Sequence, residues 1–176
     1  MKYAHYYKAG TIGDGDIVFQ RFSSTPLEDN SRFIQFVEGT LEEITAEDFG
    51  NITAIPSYIL YAAQVDASDE IALKTVTMPD TITSIGEYSL GFSSVTYYMF
   101  SANIATIGSN VCNSTGPQCI IDFSKAKQIP PMPMPEGSPD SFLASTIASF
   151  RVPSALYSTW KTATGWSAFD YKMVSV

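Results

Sequence analysis

Apolar positions recur along this chain in a pattern that changes period. Val76 and Met78 are two apart, the spacing that turns both toward one side of a strand. Ile82 and Ile85 are three apart and follow Pro79, on a return path. Gly86 is read as permitting a tight bend, and Tyr88 to Leu90 as a short turn of helix or loop. The pattern comes back after 22 residues, from Leu73 to Val95. Aligned without a gap, the segments Leu73–Ser94 and Val95–Gly116 match Val76 with Tyr98, Met78 with Phe100 and Ile82 with Ile104. They also match Ile85 with Ile107, Gly86 with Gly108 and Leu90 with Cys112. A weaker copy covers Leu41–Gln64, with Ile44, Ile52 and Ile55 in place, and Val65–Ala72 separates it from the next. A truncated copy covers Gln118–Pro130, with Ile121, Phe123 and Ile129.

Each unit, one strand plus one return, is too small to stand alone. Its apolar side chains contribute roughly 1.5–3 kcal/mol each when buried. Ordering its backbone costs on the order of 1–2 kcal/mol per residue. The units must therefore lean on each other, which predicts a short stack of coils closed at both ends.

The flanks predict the closures. Residues 1–40 form an N-terminal β arm, docking segment or hairpin, with strands expected at Ile17–Phe22 and Arg32–Glu38. Residues 41–176 form the repeat domain. Its proline-rich stretch 130–139 cannot be helix or central strand, and reads as a surface excursion. Residues 149–176 form a C-terminal helical cap. Phe150-Arg151-Val152 would add a last strand and Pro153 would stop it. Ser154 would cap a helix over Ala155–Thr164, ended by Gly165. Leu156, Trp160 and Ala163 share one face of that helix, and with Trp166 and Phe169 they make an apolar plug.

The runs LKTVTMPDTITSIGEYSL and ITAEDFGNITAIPSYILY resemble BspA-like leucine-rich repeats, whose theme is P-x-x-[VI]-x-x-I-G-x-x-A-F. The ending RVPSALYSTWKTATGW is similar to the closing segment of such arrays in bacterial surface proteins and phage virion proteins. Ser89-Leu90 and Val111-Cys112 stand where the family has Ala-Phe. The resemblance spans Leu41–Val176. It implies a mainly β fold with short helices, a short leucine-rich-repeat-type β-solenoid. It also implies adhesion or protein–protein contact, without catalysis. The expected function is that of a non-enzymatic virion structural or attachment protein: a head decoration or fibre, a collar or a tail component. The alternative is a bacterial cell-surface adhesin or binding module. Partners would be other virion or surface proteins, with a host-surface receptor or glycan as a further candidate. A symmetric homo-oligomer or multi-copy assembly is expected. The location would be the virion, assembled in host cytoplasm, or else the bacterial surface.

Composition narrows this reading. The net charge is −8 and the Lys and Arg residues form no stripe, so no nucleic-acid partner is expected. No stretch approaches the ~18 consecutive apolar residues of a membrane span, so no insertion is expected. No apolar run follows Met1–Lys8, so the start reads without a secretory signal. His5 is the single histidine. Cys112 and Cys119 have no partners for a four-ligand zinc site, and stand either as buried thiols or as one bridge. Asp14-Gly15-Asp16 reads as a turn and lacks the remaining ligands of a calcium loop. Glu42, Glu43, Glu47 and Asp48 read as a solvated face. No catalytic residue, cofactor or metal site is expected.

The repeat register also predicts which strand residues point outward. These are Glu42, Glu43 and Thr45; Lys74, Thr75 and Thr77; Thr96, Tyr97 and Met99; then Cys119, Ile120 and Asp122. Tyr97, Met99 and Ile120 would form an exposed apolar patch beside Thr75 and Thr77, the candidate interaction surface.

Overall fold

The computed structural model describes residues 3–6, 20–23, 42–49, 52–55, 57, 73–90, 94–112, 115, 117–134, 142 and 146–176. The alternation at Thr75-Val76-Thr77 does make a strand, with Val76 fully buried between half-buried threonines. Tyr97-Tyr98-Met99 repeats it around a fully buried Tyr98. In chain order the strands are β1 (Tyr3–Tyr6), β2 (Gln20–Ser23), β3 (Glu43–Ile44), β4 (Ala54–Ile55), β5 (Thr75–Thr77) and β6 (Ser84–Ile85). They continue with β7 (Tyr97–Met99), β8 (Thr106–Ile107), β9 (Cys119–Asp122), β10 (Ile147–Val152) and β11 (Met173–Ser175).

Two parallel sheets carry the fold. One has six strands in the order β11-β10-β9-β7-β5-β3, the other three in the order β4-β6-β8. The 22-residue offset is their register: Val76 lies beside Tyr98, and Ile85 beside Ile107. The two sheets share one core. Ile44, Val76, Tyr98, Ile121, Phe150 and Met173 form a buried row across the large sheet. Ile55, Ile85 and Ile107 from the small sheet join the same cluster. Ile82 and Ile104 are fully buried with them.

Gly86 and Gly108 have a different reason from the bend expected of them. A Cβ on Gly86 would sit 2.3 Å from the backbone nitrogen of Ser57, and one on Gly108 would sit 2.4 Å from that of Glu87. Glycine recurs here because successive return segments bring their backbones together.

The expected mainly β, leucine-rich-repeat-type β-solenoid is overturned. The arrangement is mixed α/β: nine of the strands, six plus three, lie in parallel sheets, and short helical segments complete it. The C-terminal segment supplies the physical reason. From β10 the chain runs through a 3-10 turn (Ser154–Leu156), helix α1 (Tyr157–Thr162) and a 3-10 segment (Trp166–Lys172) into β11. β11 then pairs parallel with β10, Arg151 beside Val174. Parallel neighbours need such a crossover. The helical stretch is therefore the connection inside a βαβ unit, and Phe150-Arg151-Val152 is not the last strand. Ser154 makes no side-chain cap, since the chain enters through the 3-10 turn after Pro153.

The apolar plug is present. Trp160 and Trp166 are fully buried, Phe169 nearly so, and Leu156 and Ala163 pack against the core. Gly165 adopts φ +80° where the helical path turns. The start of the proline stretch is no surface excursion. Pro130 is buried and its carbonyl accepts the Trp166 indole N–H at 2.8 Å, while Met132 is 6% exposed. At the other end β1 and β2 pair antiparallel, Tyr3 opposite Ser23. β2 overlaps the expected Ile17–Phe22 strand, whereas Arg32–Glu38 lies outside the described residues.

Candidate functional site

The strand register builds two outward rows on the large sheet, flanking the buried one. Glu43, Thr75, Tyr97, Ile120 and Ser149 lie side by side across β3, β5, β7, β9 and β10. Thr77, Met99, Asp122, Arg151 and Val174 do the same across β5, β7, β9, β10 and β11. The five residues expected to form an interaction surface therefore do come together on adjacent strands.

Their exposure differs from the expectation. Tyr97, Met99 and Ile120 are half-buried, as are Thr75 and Thr77, so no fully exposed apolar patch forms there. Thr75, Tyr97, Met99 and Ile120 are flanked on both sides by in-register neighbours about 4.8 Å away, which cover their sides, while Thr77 has one such neighbour, Met99. Cys119 is fully buried, not outward, because it shares strand parity with the buried Ile121. Asp122 is in the outward row but is 3% exposed, covered by the groups it binds.

Those groups make a polar cluster across three strands. The Tyr97 hydroxyl donates to Asp122 Oδ2 at 2.7 Å. The Ser124 backbone N–H donates to Asp122 Oδ1 at 2.8 Å. Arg151 Nη1 stands 3.6 Å from Asp122 Oδ2, an ionic contact longer than a hydrogen bond. Burial opposes ionisation of Asp122, but the bonds from Ser124 and Tyr97 and the Arg151 charge outweigh it and hold its carboxyl below the usual range. The Tyr97 hydroxyl is pushed up to about 12, by burial first, then by its bond to Asp122 and that carboxylate's charge, with Arg151 opposing. At neutral pH the cluster is thus a neutral phenol, a carboxylate and a guanidinium.

The repeat register puts Asp122 in the outward set, but its partners are not legible in the sequence. Arg151 lies 29 positions further on, across the proline stretch, and only strand pairing brings the two together. The exposed large hydrophobics among the described residues are Tyr171, Val174 and Val176; Val174 sits at the β11 end of the outward row, and Tyr171 lies in the 3-10 segment before β11.

The remaining candidate chemistry is dispersed. Cys112 and Cys119 are free buried thiols, and burial pushes both up, Cys119 to about 12, away from the reactive thiolate. Glu42, Glu43 and Glu47 are exposed, as expected of a solvated face. Asp48 is not simply solvated: its Oδ2 accepts from the Thr45 backbone N–H at 2.8 Å and the Thr45 hydroxyl at 2.9 Å. His5 lies on β1, and Asp14-Gly15-Asp16 falls outside the described residues. Among the described residues no group of three His, Cys, Asp or Glu side chains is placed to hold a metal, and no helix is long and apolar enough to cross a membrane.

No protein-family model matches the chain, and no curated protein matches it either.

Proposed function

We propose that this protein is a non-enzymatic structural or attachment component that works through protein–protein contacts, made by the outer face of its six-stranded sheet. One observation carries the reading. Thr75, Thr77, Tyr97, Met99 and Ile120 are set in register on three adjacent strands, each half-buried, with the Tyr97–Asp122–Arg151 cluster among them. Aromatic residues, Met and Arg are the types enriched in contact surfaces, and a sheet backed by a continuous core holds them rigid.

The setting we propose is a virion, as a head decoration, fibre, collar or tail part. Support comes from the RVPSALYSTWKTATGW ending and its similarity to closing segments in phage virion proteins. Mass spectrometry of purified particles tests the setting, and the chain's absence from them would refute it. Tyr97→Ser combined with Met99→Ser tests the face. Incorporation into particles should fall while circular dichroism stays unchanged. Undiminished incorporation would refute the contact role.

A further inference from the structure

We draw no further inference here: the strongest candidate, the exposed side chains of Tyr171, Val174 and Val176 at and next to the β11 edge of the six-stranded sheet, carries nothing, because nothing in the structure shows what covers them.

Discussion

Residues 73–112 and residues 118–176 contribute strands to one sheet, yet they are held by different means. The first region repeats itself. Its strands pair at a constant offset, its interior is mainly aliphatic, and its return segments approach so closely that only glycine fits at Gly86 and Gly108. The second region does not repeat. Its interior is a cluster of rings, with Phe123 4.5 Å from Phe100, 5.3 Å from Trp160 and 5.5 Å from Trp166 between centroids. Phe150 lies 5.2 Å from Phe169, and the two indoles are 5.4 Å apart in an edge-on arrangement. Strands paired at a constant offset can be filled mainly by aliphatic side chains. A crossover that leaves the sheet and returns must fill a larger, irregular space, and rings do so with few residues.

Substitutions should separate the two kinds of support. Trp166→Ala should have the largest effect, a loss of about 3–5 kcal/mol, because it empties a fully buried site. It also leaves the Pro130 carbonyl without its donor. Urea unfolding followed by far-UV circular dichroism measures it. Ile107→Val in the first region should cost only about 0.5–1.5 kcal/mol by the same measurement. Gly108→Ala should fall between them, at about 1–3 kcal/mol, since the added methyl meets fixed backbone that cannot swing aside. A neutral Gly108→Ala would show that the returns do not approach as described.

The polar cluster joins the two regions and makes their union sensitive to acid. Asp122 ionises more readily in the folded chain than in the unfolded one. Its contribution is therefore present above the ordinary carboxylate range and is lost as pH falls through the lowered folded value. Thermal melts across the acid limb should show this loss, and Asp122→Asn should flatten it. The smallest effect concerns Gln118, an exposed residue at φ +60°, just before β9. Gln118→Gly should stabilise by about 0.5–1 kcal/mol, by relieving a left-handed backbone. A lower melting temperature would contradict that.

How much of this was legible follows the same division. In the repeating region, a matched pair such as Val76 and Tyr98 predicts both burial and strand pairing, because parity and offset suffice. The outward positions Thr75, Thr77, Tyr97 and Met99 follow from the same parity. Beyond Gln118 the rule runs out. The repeat register points Cys119 outward, whereas parity with Ile121 turns it in. β11 is not legible because Met173-Val174-Ser175 is short and, unlike the equally short β5 and β7, matches no other segment of the chain. Without β11 the helical stretch reads as a terminal cap, whereas it is a crossover. The candidate face was thus half legible. Its threonines, Tyr97, Met99 and Ile120 came from the strand pattern, while Arg151 entered only through pairing between β9 and β10.

One core shared by both regions makes the outer rows a single rigid face. Both tryptophans, Trp160 and Trp166, lie in the second region, so fluorescence reads that region alone. Amide hydrogen exchange at Ile85 and Ile107 reads the first. With increasing urea the two signals should change together, at one midpoint. Separate midpoints, with the tryptophans exposed while Ile85 and Ile107 stay protected, would contradict it.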